Sequence, residues 1–427
     1  MAAVPKTRTL LLVLLGCAAG SALLYVSFGT LSAFLASDDF GWLGNARVVT
    51  WNQWFIVPGR THFYRPVVEM WFAALTPVCD YNPRCYHAFS IGVHAANTAL
   101  FCALVTRVGG SVKYGAAAAA IFAALPGYAE AVVWVSASTI LLAAFFWLSA
   151  AHVSLSAAQR SSVLLWMTAA VLAGLAMFSH ESAASLFLVL PVLLVPGRSV
   201  DLQRSFGLRA LVPFAIVVGA FALSVVVVDR RNYVFTEGHY RAGLHMVRHA
   251  LDYVAALYVG PHRPGNHAIV VALLIVVMFV GGRLARIAGW WMLVTLVPYV
   301  AFTWGNVSRY LYLPAMGFSF LVAAVVFSIA ERLARTEQRP RWVHAATTAV
   351  VLAFVVRFAV FTRTAIHERA DWMEAYRRYS DSLAGITSTG GAIVVPAPTD
   401  PRVEPNYVDA VVRWTLREPL ADVIVRR

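Results

Sequence analysis

Long apolar runs alternate with short basic stretches along nearly the whole chain of 427 residues. Runs close to the ~20 residues that cross ~30 Å of hydrocarbon as helix fall at 10–35, 86–106, 114–127, 130–151, 162–179, 182–196, 209–228, 267–282, 287–304, 309–330 and 343–362. Backbone groups in hydrocarbon must bond internally. Continuous apolar runs do so as helices, whereas barrel strands alternate in polarity. The pattern predicts an all-α polytopic membrane protein with about 11 transmembrane helices. The third and sixth runs are short and imply tilt or partial burial in protein. Segment 64–78 is of similar length and ambiguous; Tyr64-Arg65-Pro66 opens it and Pro77 closes it, so it reads as an interfacial or re-entrant helix rather than a full crossing. Within it, Arg65 and Glu69 have the spacing of a structural i,i+4 pair. Lys6 and Arg8 precede the first run, which is too long for the core of a cleaved signal. Leu14-Leu15-Gly16-Cys17 resembles a lipoprotein box, but apolar sequence continues past it, so the segment reads as the first span.

Composition excludes a soluble domain. The chain is 60% hydrophobic and 13% charged, with a mean hydropathy of +0.69, whereas soluble domains carry about 25% charged residues. The net charge of +13 sits in blocks between spans, which argues against nucleic acid as a partner and for loops facing the cytoplasm. With the N-terminus inside, the inner connections carry Arg107, Lys113, Arg160, Arg198, Arg204, Arg209, Arg283, Arg286, Arg332, Arg335, Arg339 and Arg341. The short outer connections 126–130 and 179–181 carry no Lys or Arg, as the positive-inside rule requires. The predicted organisation is a multispan domain over 1–362, with long outer loops 37–86 and 229–267, followed by a small extracytoplasmic α/β unit over 363–427. In that tail a helix is expected at 368–383, a strand at 392–395 and a second helix at 407–417. No repeat of 20–50 residues is present.

Charged groups near lipid depth cost at least ~2.5–3.5 kcal/mol and are functional candidates by default. They are Asp38, Asp39, Glu130, His180, Glu181 and Arg309, and the topology puts all of them at the outer ends of spans. One shared outward-facing pocket is the economical reading. Each also has a structural one: acids favoured at a helix start for Glu130 and Glu181, solvated helix-end residues for the Asp pair, snorkelling for Arg309. His87 and His94 share one face of the second span and read as helix–helix glue. Cys79 and Cys85 flank a turn with Pro83 in what the topology makes an oxidising compartment; they read as a disulfide or as two free thiols. No metal, phosphate-loop or dinucleotide motif is present. The adjacent acids and His180 are compatible with a divalent ion without demanding one, and no cofactor is required.

With these residues in view, the chain resembles the GT-C glycosyltransferases, multispan enzymes that use polyprenyl-phosphate sugars. It is most similar to the membrane part of the transmembrane and tetratricopeptide-repeat O-mannosyltransferases and their bacterial relatives. The similar pieces are Asp38-Asp39, Phe63-Tyr64-Arg65-Pro66, Tyr86-His87 with His94-Ala95-Ala96-Asn97, and Pro126-Gly127-Tyr128-Ala129-Glu130-Ala131-Val132 with Trp134-Val135. Ser179-His180-Glu181 and Ser308-Arg309-Tyr310-Leu311-Tyr312-Leu313-Pro314 complete the set. The family's lysine–glutamate pair is His180-Glu181 here, and the tail lacks the family's helical repeats, which puts a protein acceptor in doubt. The resemblance implies inverting sugar transfer from a polyprenyl-phosphate donor to a hydroxyl of a glycan, lipid or protein. It implies a site facing the periplasm, in a bacterial inner membrane. Asp38 or Asp39 is then the base, Asp38 by similarity. Arg65, Glu130, His180, Glu181, Tyr310 and Tyr312 shape the pocket. Inverting transfer also needs cations for the departing phosphate: Arg309 first, then Arg241, Arg248 and His239 on the outer loop. The rival readings are a transporter or lipid flippase, which favours midplane polar groups and internal repetition, and a glycan ligase or polymerase.

Overall fold

The computed structural model describes residues 7–56, 63–194, 208–229, 231–258, 264–280, 282–304, 307–336, 340–386 and 392–426; Arg198, Arg204 and Arg339 lie outside them. In chain order the helices are α1 (Thr7–Ser27), α2 (Asp38–Val48), α3 (Pro66–Cys79), α4 (Pro83–Gly109), α5 (Val112–Ala124), α6 (Ala129–Val133), α7 (Ser138–Arg160), α8 (Val163–Met177) and α9 (Leu186–Leu194). They continue as α10 (Leu208–Asp229), α11 (Tyr233–Thr236), α12 (His245–Tyr258), α13 (Pro264–Val280), α14 (Arg283–Val300), α15 (Tyr312–Thr336), α16 (Pro340–Ser382) and α17 (Val408–Leu416). Every predicted apolar run falls on one of these helices. Yet only five described helices are long and apolar enough to cross a membrane unaided, or six if the pair 112–124 and 126–133, bent by 56°, is one span. Of the rest, Pro66–Cys79, Val163–Met177, Glu181–Leu194, Val212–Val228 and Asn266–Val277 are shorter apolar helices, so among the described residues the expected eleven full crossings are not matched by length.

Lipid leaves its mark on side-chain placement. α1 exposes Leu11, Leu12, Leu15 and Leu23, and α10 exposes Ile216 and Leu223. The polar residues of the spans turn inward instead, where bonds across helices satisfy them. His94 Nδ1 shares a hydrogen bond with the Tyr312 hydroxyl at 2.8 Å, and Asn97 Nδ2 donates to the Leu141 carbonyl at 2.9 Å. His87 Nε2 meets the Phe34 carbonyl at 3.0 Å. His94 therefore ties α4 to α15, as expected, whereas His87 ties α4 to the extended backbone ahead of α2. Helix pairs approach closely where glycine allows it. A Cβ on Gly317 of α15 would stand 2.5 Å from the Met292 nitrogen of α14.

Three elements depart from expectation. The first run does not stay helical to residue 35: α1 stops at Ser27, and Gly29 takes a left-handed φ of 89°. A 3₁₀ turn (Thr30–Ser32) and extended backbone then lead to α2. The last span does not end near 362 either. α16 runs unbroken for 43 residues, about 65 Å at 1.5 Å per residue, roughly twice the hydrocarbon thickness. The expected domain boundary at 362/363 thus falls inside one helix. Beyond it, β1 (Ala392–Pro396) pairs in parallel with β2 (Asp422–Arg426), a strand the sequence reading lacked. Between them lies α17, which buries Val408, Val411, Val412 and Trp414.

The connections sort into two ends. At one, Arg107 ties the end of α4 to α7 through the His152 carbonyl, Ser156 and Gln159. Arg160 is the last residue of α7, and Arg283 and Arg286 open α14. At the other end sit α2, α3, the C-terminal unit and the Cys79–Cys85 disulfide, which joins α3 to α4. All the candidate acids lie there.

Candidate functional site

At this second end the helices break rather than stop. Short 3₁₀ turns stand at Pro126–Tyr128, Val135–Ala137, Glu181–Ser185 and Ser308–Leu311. Such breaks strand backbone N–H groups away from water, and side chains must cap them. The Asp39 carboxylate accepts from the Ser136 backbone N–H at 2.6 Å and the Ser136 hydroxyl at 2.5 Å, and from the Ala36 N–H at 3.0 Å. His180 Nδ1 accepts from the Ser182 N–H at 3.2 Å. Glu130 accepts from the Arg309 N–H at 3.4 Å.

The Asp pair divides by access. Asp39 is 0% exposed with both oxygens occupied. Burial pushes its carboxyl up to about 7, against the pull of the three donors, with Asp38 adding to the rise. That value suits a general base, but a sealed carboxyl reaches no acceptor. Asp38 is half-buried at the first position of α2, and its Oδ1 accepts a hydrogen bond from the Tyr407 hydroxyl of the C-terminal unit. Asp39→Ala is expected to strand the Ser136 and Ala36 donors, at about 1–3 kcal/mol for each buried group left unpaired. The check is thermal unfolding in detergent, where an unchanged midpoint would deny Asp39 its structural role.

Glu130, 3% exposed, collects two guanidiniums: Arg309 Nη1 at 2.7 Å and Arg369 Nη2 at 3.0 Å, with the Ser308 hydroxyl donating at 2.8 Å. Arg309 also lies over Trp134, 4.8 Å from the ring centroid. Trp134 in turn donates from Nε1 to the Ala36 carbonyl, just ahead of the Asp pair. Arg65 closes a two-point bond on Glu181, Nη2 at 2.6 Å and Nε at 3.1 Å. Arg65 thus reaches a carboxylate far along the chain that faces its guanidinium fork. His180 packs between Glu181, at 3.7 Å, and the rings of Tyr299 and Tyr310, which stack 4.2 Å apart.

These groups share one neighbourhood. Burial first and then the Asp38 charge raise the Tyr233 hydroxyl above its ordinary range, while Arg65 and Arg309 pull it back. Arg65, Arg309 and Arg369 stand there against Asp38, Glu130 and Glu181. The side chains of Arg309 and Arg369 keep 25% and 37% exposure. A guanidinium has five N–H donors, so both retain donors for an oxyanion.

Several candidates stand apart from the cluster. Tyr312 is fully buried in the helix core and does not line the pocket, because its hydroxyl serves His94 and Asn97. Arg248, 79% exposed, pairs with Asp252, and His239 with Glu237. Arg241 is exposed, with its backbone N–H on the Ala301 carbonyl. Among the described residues no group of three or more His, Cys, Asp or Glu is placed to hold a metal ion. Sequence reasoning missed Ser136, Arg369, Glu404 and Tyr407. None of the four carried a sequence signal that set it apart from its neighbours.

No family model and no curated protein matches the chain. Among solved structures, it is similar to ArnT from Cupriavidus metallidurans, a crystal structure bound to undecaprenyl phosphate. The TM-score is 0.52 at 15% identity, covering 98% of this chain and 86% of that one. The likeness shows the fold alone: a helical bundle arranged as in that structure, in which five or six described helices are long and apolar enough to cross a membrane.

Proposed function

We propose that the chain is a membrane glycosyltransferase that moves a sugar from a polyprenyl-phosphate donor to an acceptor hydroxyl, with inversion, on the extracytoplasmic face. The observation that carries this reading is the juxtaposition of one accessible carboxylate, Asp38, with the Arg309–Arg369 guanidinium pair at a single end of the bundle. Inverting transfer needs these two functions. Asp38 takes the acceptor proton as the hydroxyl oxygen bonds to the anomeric carbon. The bond from that carbon to the phosphate oxygen breaks, and the arginines meet the phosphate as its charge develops. Arg65 and Glu181 wall the pocket as a neutral pair.

A lipid donor also needs an apolar berth. A cavity of ≈ 740 Å³ between α3, α4 and α7 is lined by Val67, Met70, Trp71, Phe89, Phe145 and their neighbours. Val67 is two residues from Arg65, so the cavity opens beside the charged cluster. We assign the isoprenoid chain to it, consistent with the ligand of the ArnT structure. The proposed sugar is a hexose, as in the mannosyltransferases whose motifs the chain resembles. The proposed acceptor is a glycan, lipid or protein hydroxyl, and the proposed setting a bacterial inner membrane.

The test has two parts. Purified protein in lipid nanodiscs, given a radiolabelled polyprenyl-phosphate hexose and membrane extract, should release polyprenyl phosphate and label an acceptor. In intact cells, an impermeant thiol reagent should reach a cysteine engineered into the C-terminal unit. A donor left intact while the protein moves labelled lipid across vesicles would favour a flippase instead. Labelling only after permeabilisation would move the site to the cytoplasmic face.

A further inference from the structure

The C-terminal unit looks like an appendage in sequence, yet it is bound to the strained turn that carries Asp38. Ser37 holds φ 52°, a left-handed conformation a non-glycine residue keeps only when its surroundings impose it. Its hydroxyl faces Glu404 Oε1 at 3.5 Å, and the Tyr407 hydroxyl donates to Asp38 Oδ1. Asp38 Oδ2 has no protein hydrogen-bond partner among the described residues. The unit is docked firmly enough to hold such a contact. Arg402 bonds Asp400 and Asp371, and Arg377 donates to the Ser32 carbonyl at 2.5 Å. Trp414 packs edge-on to Phe40 of α2, at 6.2 Å between ring centroids, and to Tyr81 at 4.8 Å.

Resting on the transferase reading above, we propose that Tyr407 is a positioning residue: it holds one oxygen of Asp38 so that the other faces the acceptor hydroxyl. The C-terminal unit is then part of the active site, one wall of the acceptor side. The arrangement resembles a base steadied by a second group, since a carboxylate free to rotate spends less time aligned for proton transfer. The other groups facing Asp38 are Asp39 on its own helix, Arg309 before α15, Tyr233 of α11, Tyr376 of α16, and Glu404. All of them remain in a Tyr407 variant.

The test uses full-length protein with undecaprenyl-phosphate mannose as donor probe, and compares Tyr407→Phe, Arg402→Gln and Asp38→Asn with wild type. Tyr407→Phe keeps the ring and removes only the hydroxyl. It should lower kcat about 10-fold and leave the donor KM unchanged. Arg402→Gln loosens the docked unit without touching Asp38, so it should lower thermal stability and leave kcat near wild type. Normal kcat in Tyr407→Phe overturns the role, as does an equal fall of kcat in Arg402→Gln. An active Asp38→Asn removes Asp38 as the base and this inference with it, whereas a wild type that turns over no donor sinks the transferase reading itself.

Discussion

Asp38→Asn is expected to reach the membrane folded and to lose sugar transfer by about 10²-fold or more, the lower range for removing a general base. The change is nearly isosteric, and the introduced amide keeps an oxygen that accepts from Tyr407, so the contact with the C-terminal unit survives. What disappears is the lone pair that takes the acceptor proton. Asp39 cannot substitute, because Ser136 and Ala36 occupy its oxygens inside a sealed pocket. Donor binding depends on the guanidiniums and the apolar cavity, so the donor KM should hold while kcat collapses. Single-turnover release of labelled polyprenyl phosphate, normalised to correctly folded protein, is the measurement. Near-normal transfer by a well-folded Asp38→Asn protein would falsify the base assignment.

The second large effect is on stability. Glu130→Gln should remove the charge that holds Arg309 and Arg369 together, leaving two cations at a buried site. Breaking a buried ion pair in this way costs about 3–5 kcal/mol, because the stranded charge keeps its desolvation penalty. Arg369 is partly exposed and relaxes toward water, so most of the loss falls on Arg309. The double variant Glu130→Gln, Arg369→Gln should recover part of the stability by relieving the repulsion. Thermal unfolding in detergent reads both, and a Glu130→Gln midpoint equal to wild type contradicts the account.

Much of the candidate site was legible in sequence as a set of residue types. Asp38, Glu130, Glu181 and Arg309 were conspicuous because ionisable groups beside long apolar runs are expensive. Parity of the spans put them at one end, and the structure gathers them there. Their pairings were not legible. Arg65 has Glu69 one turn away, yet its partner is Glu181, 116 residues distant. Tyr312 shares a motif with Arg309 and Tyr310, but the turn ends at Leu311 and α15 begins at Tyr312, which sends its ring into the core. Arg369 and Tyr407 sat on the tail helices expected at 368–383 and 407–417, but nothing local aimed them at the acids.

By itself the sequence determined the element type, the approximate position of the helices and the end of the bundle at which charge collects. All three follow from one local constraint: hydrocarbon tolerates neither unpaired backbone nor unpaired charge, and every residue meets that constraint through its own segment. The tertiary structure alone decided which aspartate is accessible, which cations share Glu130, and that the C-terminal unit closes on Asp38. Those outcomes hang on contacts between chain segments as much as 369 residues apart. Hydrogen-bond geometry over a few ångströms selects such partners, and no local pattern encodes that distance.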